Sequence, residues 1–305
     1  MKNWFFLLLA VVCLTAFMGT AVYARDDIKV GTYVINMGEF SVATGNFTVD
    51  FYLTLKSDKT PEFPIDTFEI MNNKTTSMEK IQDLPNMKQY RIRANLNSPI
   101  DLKSFPFDTQ KLQIKIENKV YTSDKVVYVP IKEESSLDSL VNFNGWKINN
   151  WEVVEEKHVY SVFKEEYSAY SFNVNVGKII PNAFFKTFIP VLITMLIIVA
   201  SYSMPMDKVK LRFELSVQAL IATVLFHINI SNQIPPVSYL TIADKFMIMS
   251  YLFLFSTFVL NVFLMNIIEN GKFELANIIY KKLEFSMAVI IPLIYAGFFS
   301  IVLKF

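Results

Sequence analysis

Cysteine is nearly absent from this sequence: the single copy, Cys13, lies in an apolar run near the N-terminus. If that run is removed on export, the remaining chain has no thiol, no disulfide and no cysteine metal site. Histidine occurs only twice, as His158 and His227, so a histidine metal site within one chain is not expected. The sequence also lacks a glycine-rich phosphate loop, zinc-ligand spacing and a nucleophile with a plausible base. We therefore expect neither an enzyme nor a cofactor.

An excess of charge of one sign is also missing, because the formal net charge of the 305 residues is +1. Residues 25–178 carry 19 Lys and Arg against 22 Asp and Glu, and the remainder is basic. A mildly acidic N-terminal half argues against binding of nucleic acid. The content of hydrophobic residues, 52%, is high enough for a folded core and for several membrane crossings. A purely soluble single domain is therefore not expected.

The N-terminus has the pattern of a secretory leader. Lys2 precedes an apolar run from Trp4 to Phe17, and small residues lead to Ala24. This order of charge, apolar run and small residues is typical of a signal peptide that is cleaved on export. We predict a signal peptide over residues 1–24, with an uncleaved membrane anchor as the alternative.

Residues 25–178 have the pattern of a β-sandwich. Short runs of β-branched and aromatic residues, such as FTVDFYLTL and LQIKIE, are separated by turn residues. Apolar residues alternate with polar or smaller ones from Phe47 to Leu55, which is the period of a half-buried strand. The pattern resumes in GWKINNWEVV and YSAYSFNVNV and leads into the apolar part at about Lys178. An exported β-sandwich domain that binds a ligand is predicted for residues 25–178.

Four apolar segments in residues 179–305 are each close to the length that a bilayer requires. They cover residues 181–204, 208–234, 246–268 and 285–303. Basic residues concentrate between the first two segments and between the last two, at Lys208, Lys210, Arg212, Lys272, Lys281 and Lys282. Since positive loops stay in the cytoplasm, both ends of this bundle are expected outside. That orientation agrees with an exported N-terminal domain.

The second apolar segment carries polar residues on one face only. Residues on that face recur at intervals of three and four, and they are Glu214, Gln218, Ile221, Leu225, Ile228 and Asn232. A carboxylate in a membrane-length helix marks a polar or water-filled path, because its burial in lipid is costly. The alternative is a helix whose polar side meets its own neighbours.

A further motif lies in SPIDLKSFPFDTQKL, at residues 98–112. Its Phe105-Pro106-Phe107-Asp108-Thr109-Gln110 resembles the FPFD-x-Q core of the pentameric ligand-gated ion channels, the Cys-loop receptor superfamily. Ser98 and Leu112 stand where animal receptors have their two cysteines, and the third and fourth apolar segments are closely spaced. Both features resemble the prokaryotic branch of the superfamily. The resemblance extends from the β-sandwich through the four helices, with a proline, Pro190, in the first helix.

The resemblance implies a homopentamer around a central pore, lined by the second helix of each subunit. It gives Glu214 and Gln218 the role of pore and selectivity residues, and it implies a hydrophobic gate at Ile221, Leu225 and Ile228. Five Glu214 carboxylates predict a cation preference and a possible site for a divalent ion in the pore. Because Arg212 sits roughly 200° from Glu214 around the helix, we expect it to turn outward from the pore axis.

The resemblance also implies where the two domains are coupled and where an agonist binds. Coupling is expected at Asp108, Lys178, Pro235 and Pro236, with a partly buried ion pair between Asp108 and Lys178. The agonist pocket, the least transferable part, is expected at Phe68, Tyr121, Tyr160, Phe163 and Tyr167. An aromatic box of this kind suits an amine. The alternative is that these rings only pack the edge of the sandwich.

The favoured function is thus a ligand-gated, cation-selective channel in a prokaryotic cytoplasmic membrane, with an unspecified small molecule or ion as agonist. A non-conducting membrane sensor is the alternative, and a membrane enzyme is disfavoured. His227 lies off the pore face, and we expect it to bond to a neighbouring helix. Acidic clusters such as Glu133, Glu134 and Asp138 are expected to be solvated, with calcium binding as the alternative.

Overall fold

The computed structural model describes residues 25–143 and 145–302. The predicted leader, residues 1–24, lies outside the described residues, as does Cys13. The described chain forms a β-domain followed directly by a helical domain, because strand β10 ends at Lys178 and the first helix begins at Ile180. The predicted β-sandwich and helical bundle are confirmed.

Within residues 25–143 and 145–178, ten strands form the β-domain. They are β1 (Asp26–Ser41), β2 (Asn46–Lys56), β3 (Phe68–Ile70), β4 (Asn73–Leu84), β5 (Met87–Asn97), β6 (Thr109–Asn118), β7 (Val126–Pro130), β8 (Ser136–Leu137), β9 (Trp146–Tyr160) and β10 (Glu165–Lys178). One sheet has the order β4-β5-β2-β1-β7, with β8 beside β1, and the other has the order β3-β6-β10-β9.

The core of the β-domain lies between the two sheets. The alternation predicted from Phe47 to Leu55 is seen in β2, whose Phe47, Val49, Phe51 and Leu53 are fully buried or nearly so. From the other sheet, β10 contributes Phe172, whose ring stacks on that of Trp151 at a centroid distance of 5.4 Å. Alternating side chains therefore place one face of each sheet in a common core.

Hydrogen bonds close the FPFD loop between β5 and β6. The Ser98 hydroxyl accepts a 2.9 Å hydrogen bond from the Gln113 backbone N–H, beside buried Leu112. The Ser98 backbone N–H also donates to the Gly45 carbonyl at 2.9 Å. The ends of the loop are thus held together without a covalent link.

Up to residue 302, five α-helices follow, namely α1 (Ile180–Thr187), α2 (Ile189–Ser201), α3 (Val209–Ser231), α4 (Ile242–Glu269) and α5 (Phe273–Val302). Helices α3, α4 and α5 are each long and apolar enough to cross a membrane by length and composition, with α3 extended by one turn from Met206. Helices α1 and α2 pass the same test only together, and they are bent by 46°. Pro190, in the first turn of α2, cannot donate a backbone hydrogen bond, which favours the break.

Helices α4 and α5 begin before the apolar segments predicted from sequence, whereas α2 and α3 end within theirs. Helix α4 begins at Ile242 because Thr241 and Asp244 form a capping box there. Helix α5 begins at Phe273, 12 residues before the predicted segment. Its first part contains Lys281, Lys282 and Glu284, whose charges lower the hydropathy there and hide the helix from a search for apolar segments. Three residues, 270–272, connect α4 to α5.

Candidate functional site

Helix α3 presents one uncovered face. Glu214, Gln218, Ile221, Leu225 and Ile228 are all exposed in the single chain, and the three aliphatic residues keep 55%, 62% and 53% of their surface. The opposite face of α3 is buried, and its buried residues are Val209, Arg212, Ser216, Ala219, Thr223 and Ile230. No neighbouring helix of the same described chain covers Glu214 or Gln218. The alternative in which this polar side meets its own neighbours is therefore not seen.

Polar contacts fix the buried side of α3 against α4. The Asn261 amide donates to the Ser216 hydroxyl at 3.1 Å. His227 has Nδ1 at 2.9 Å from the Tyr251 hydroxyl and Nε2 at 3.2 Å from Asp244 Oδ1. The expectation that His227 bonds to a neighbouring helix is confirmed. These contacts set the rotation of α3 about its axis, and with it the direction of the exposed face.

The expected ion pair between Asp108 and Lys178 is wrong. The two residues are joined through the backbone, where Lys178 N–H donates to the Asp108 carbonyl at 3.2 Å. The Lys178 ammonium lies instead over the Trp146 ring, 3.9 Å from its centroid. These two residues are directly opposite each other in the β9–β10 register, which explains the pairing.

Burial is the main cause of the pKa shifts of Asp108 and Lys178. The Asp108 side chain is 1% exposed, and desolvation raises the pKa of its carboxyl, although the Gln110 hydrogen bond and the charge of Lys178 oppose this. Desolvation lowers the pKa of Lys178, assisted by repulsion from Lys186 and opposed by attraction to Asp108. The FPFD turn therefore holds a buried carboxyl group that is stabilised by an amide rather than by an ammonium.

The FPFD loop touches the helical domain at the outer end of the bundle. The Phe105 carbonyl accepts a 3.1 Å hydrogen bond from the Ala243 N–H at the start of α4. The Leu102 N–H donates to the Tyr239 hydroxyl at 2.8 Å, and Tyr239 belongs to the connection from α3 to α4. Pro235 and Pro236 lie in that connection, directly after α3. The loop thus contacts the segment that follows the polar-faced helix.

Three of the five predicted agonist residues come together at the tip of the β9–β10 hairpin. The ring of Tyr160 lies 5.6 Å from that of Tyr167 and 6.5 Å from that of Phe163. They line a pocket of about 240 Å³ together with Glu69, Glu117, Asn118, Lys119 and Glu165. The pocket therefore combines aromatic rings with carboxylates.

Glu117 is the most constrained group of this pocket. Its side chain is 1% exposed, and it accepts a 2.9 Å hydrogen bond from the Tyr160 hydroxyl. Its other oxygen lies 2.7 Å from His158 Nδ1. Desolvation, together with this carboxylate, raises the pKa of Tyr160 to about 12. Sequence patterns alone do not indicate the contact between Glu117 and His158, because it depends on the pairing of β6 with β10 and of β10 with β9.

The placement of Phe68 and Tyr121 in the same pocket is wrong. Phe68 is buried in the sandwich, where its ring lies 5.3 Å from that of Tyr90, because alternation along β3 turns Glu69 outward instead. The Tyr121 ring packs on Phe63 at 4.7 Å. For these two residues, the alternative of packing at the edge of the sandwich is the correct one.

Within the described residues of one chain, no group of three or more His, Cys, Asp or Glu side chains is arranged to hold a metal ion. A divalent site at Glu214 would need other copies of the chain.

Comparison with known proteins finds no matching family model, but it does find receptor subunits. Gamma-aminobutyric acid receptor subunit alpha-3 of Bos taurus is 22% identical over 268 residues, which cover 77% of this chain and 54% of the bovine protein. Subunit alpha-2 of Rattus norvegicus is 23% identical over 173 residues, covering 55% of this chain and 38% of the rat protein. The chain therefore spans about half the length of the relatives it matches.

Proposed function

Because this chain is similar in sequence and in fold to the Cys-loop receptor superfamily of pentameric ligand-gated ion channels, we propose that it forms a ligand-gated ion channel. Five copies surround a pore, a ligand binds to the β-domain, and the FPFD loop transmits the change to α3. Homopentamer formation and cation selectivity belong to this proposal. The relatives are named as subunits of receptors, which supports an assembly of several chains.

The observation that carries the proposal is the uncovered face of α3. In a membrane-spanning helix, an exposed carboxylate is costly unless it meets water or a partner. A ring of five chains with this face inward places Glu214 and Gln218 in water and leaves Ile221, Leu225 and Ile228 to form a hydrophobic constriction. Such constrictions close pores by excluding water, and rings of carboxylates favour cations and divalent ions.

The opposite face of α3 supports the same orientation. Arg212 is fully buried on that side. Its positive charge therefore points away from the pore and does not cancel the charge of Glu214. Lys208 and Lys210 are exposed at the cytoplasmic end. We place the β-domain outside a prokaryotic cytoplasmic membrane, as the distribution of basic residues and the short connection from α4 to α5 favour.

The hairpin pocket is the proposed agonist site. Tyr160, Phe163 and Tyr167 offer ring faces, and the exposed Glu69 and Glu165 offer carboxylates, which is a chemistry that binds ammonium groups. The relatives are named for gamma-aminobutyric acid, which carries an amine. A small amine is therefore the proposed class of agonist. Asp108, Lys178, Pro235 and Pro236 form the coupling region between this pocket and α3.

A non-conducting sensor is the second candidate, because the β-domain could bind a solute without any pore. Purified protein in planar bilayers, with small amines, pH and calcium varied, separates the two functions. Stepwise currents that depend on an amine support a channel. A protein that binds amines but never conducts, while forming stable pentamers, would support the sensor.

The direction of the α3 face can be tested separately. Leu225→Cys should form disulfide-linked dimers under mild oxidation, because symmetry brings five copies together around a narrow axis. Leu252→Cys, on an exposed part of α4, is the control and should not cross-link. If both or neither of the variants cross-link, the proposed arrangement of α3 is wrong.

A further inference from the structure

The inner end of the helical bundle contains a buried arginine without a carboxylate. Arg212 of α3 is 0% exposed, and it takes part in none of the ion pairs formed by residues 25–143 and 145–302. Its only hydrogen bond within these residues runs from Nη1 to the Met204 carbonyl, at 3.2 Å. Nε and Nη2 have no partner within the described chain. A guanidinium held in this way is costly, because it stays charged at all physiological pH values.

Two tyrosine rings surround this guanidinium. The Arg212 Cζ lies 4.3 Å from the centroid of the Tyr280 ring and 5.7 Å from that of Tyr202. Such contacts attract a cation to the face of the ring. Tyr280 also donates its hydroxyl hydrogen to the carbonyl oxygens of Tyr202 and Met204. Tyr280 therefore binds Arg212 directly and fixes the segment whose carbonyl Arg212 contacts.

The end of α2 also favours a cation at this place. Tyr202 follows the last residue of α2, Ser201, and helix C-termini carry a partial negative charge from their free carbonyls. Tyr280 comes from a different element, α5, whose exposed side is strongly apolar. The position of the Arg212 charge thus depends on the docking of α5.

Arg212 and Glu214 point in opposite directions from the same helix. Two residues correspond to roughly 200° of rotation, and Glu214 lies on the exposed face while Arg212 lies on the buried one. We propose that Tyr280 is a specificity-determining positioning residue, which keeps the Arg212 guanidinium away from the Glu214 ring. The predicted effect of Tyr280 on permeation rests on the proposed channel function. Its predicted effect on the position of the Arg212 charge does not.

The consequence of losing Tyr280 follows from the chemistry of arginine. The guanidinium cannot become neutral, so without the ring and the fixed carbonyls it moves to the nearest water. That water lies at the cytoplasmic end of α3, which has two exposed carboxylates: Asp207, whose Oδ2 lies 3.3 Å from Lys208 Nζ, and Glu214, on the proposed pore face. A released Arg212 then offsets the negative potential of the Glu214 ring and lowers the preference for cations.

The position of the charge can be measured without opening the channel. The mature chain is expected to have no cysteine, so Leu211→Cys, an exposed site beside Arg212, supplies a single reporter thiol. Its reaction rates with the anionic sulfonatoethyl and the cationic trimethylammonioethyl methanethiosulfonates are compared in full-length protein in liposomes. A positive charge that comes closer raises the ratio of the anionic rate to the cationic rate.

We expect Tyr280→Ala to raise this ratio by about fivefold, on the order expected for one charge approaching a partly wet site. Tyr280→Phe keeps the ring and should change the ratio by less than about twofold. Tyr295→Ala is the matched control, because Tyr295 is also a buried tyrosine of α5, with its hydroxyl 3.0 Å from Ser250 Oγ. The control should leave the ratio unchanged.

A double variant separates the position of the charge from a general loosening of the bundle. With Arg212→Gln present, Tyr280→Ala should no longer change the ratio. The inference is overturned if Tyr280→Ala leaves the ratio at the parent value, or if the shift persists without Arg212. If Tyr280→Ala does not assemble, Arg212→Lys with Tyr280 intact tests the same contact, because lysine lacks the planar group that stacks on the ring. An unchanged ratio in Arg212→Lys then overturns the inference.

The permeation effect is read from reversal potentials under a salt gradient. Tyr280→Ala should lower the cation-to-chloride permeability ratio by about threefold or more, whereas Tyr295→Ala should not. A shifted thiol ratio in a protein that never conducts would reject the channel and keep the role of Tyr280. An unshifted thiol ratio in a conducting protein would reject the role of Tyr280 and keep the channel.

Discussion

Asp108 accepts a 2.8 Å hydrogen bond from Gln110 Nε2 through one carboxyl oxygen, while its other oxygen has no partner within the described chain. The Gln110 amide in turn donates to the Asp101 carbonyl at 2.7 Å, and its own oxygen accepts from the Asp101 N–H at 3.1 Å. The FPFD turn is thus organised by an amide network and not by an ion pair. A neutral side chain of the same shape should therefore be tolerated at position 108.

Asp108→Asn should retain the fold, and it should be more stable relative to the parent at pH 7 than at pH 4. The folded-state pKa of Asp108 is raised, so the parent loses stability as pH rises from the unfolded-state pKa through the folded-state value. Asn cannot ionise and lacks this loss. Asp108→Ala, which leaves the Gln110 amide without one of its two acceptors, should cost roughly 1 to 3 kcal/mol. Thermal unfolding in detergent, followed by tryptophan fluorescence, measures both changes, and equal pH profiles for the parent and Asp108→Asn would contradict the expectation.

Ile221→Ser should make the channel leak at rest. A hydroxyl at the hydrophobic constriction lets water remain there and lowers the cost of opening. Resting conductance in planar bilayers should rise about tenfold, which corresponds to roughly 1.4 kcal/mol. Ile290→Ser, on the exposed face of α5, is the control with the same chemical change and should leave the resting conductance unaltered. A parent-like resting current in Ile221→Ser would move the gate to another level of α3.

Glu214→Gln should reduce cation selectivity and relieve block by calcium. The substitution removes five carboxylates from the proposed ring but keeps the shape of the side chain. Reversal potentials under a salt gradient, and currents with millimolar calcium, report the two effects. Glu274→Gln, an exposed residue in the first turn of α5, serves as the control. A parent that prefers chloride, or a variant with unchanged selectivity and block, would exclude Glu214 as the filter.

Glu117→Gln should loosen the hairpin tip. Each oxygen of the buried carboxylate accepts one hydrogen bond, from His158 or from Tyr160. A glutamine has only one acceptor oxygen, and its NH2 group cannot accept the second hydrogen bond. Losing one such contact costs about 1 to 3 kcal/mol, so amide exchange near Tyr160 should become about tenfold faster or more. Hydrogen exchange by mass spectrometry measures it. The exposed Glu155→Gln, on β9 beside the hairpin, should exchange like the parent. The proposed role of Glu117 fails if the two variants behave alike.

The sequence predicts the parts of this molecule that depend on periodicity. Alternation in β2 and the spacing of three and four residues in α3 each place side chains on one face, and the structure has those faces where they were predicted. Periodicity does not predict the contact partner of Lys178. Its partner follows from the register of β9 against β10, which sets Trp146 opposite it. Such a register is fixed by long-range packing, so the motif carboxylate Asp108 is not the partner that the sequence suggests.

The wrong placement of Phe68 has a similar cause. Phe68 lies in a strand of three residues, too short for alternation to be read from sequence, so its direction is clear only from the pairing of β3 with β6.

For Arg212, the helical spacing predicts only that it turns away from Glu214. Its contact with Tyr280 requires the approach of α5, which lies 68 residues later in the chain.

The uncovered face of α3 also has a consequence for the life of a single subunit. Before it meets other copies, a lone chain in the bilayer would turn Glu214 and Gln218 towards acyl chains. A charged side chain at the centre of a membrane helix costs about 2.5 to 3.5 kcal/mol, and Glu214 costs less because it lies near the cytoplasmic end of α3. That cost disappears once the face is surrounded by other copies and water. Unassembled chains are thus penalised by the same residues that serve the finished ring, so a shortage of partners should lead to degradation of the orphan subunits rather than to their accumulation.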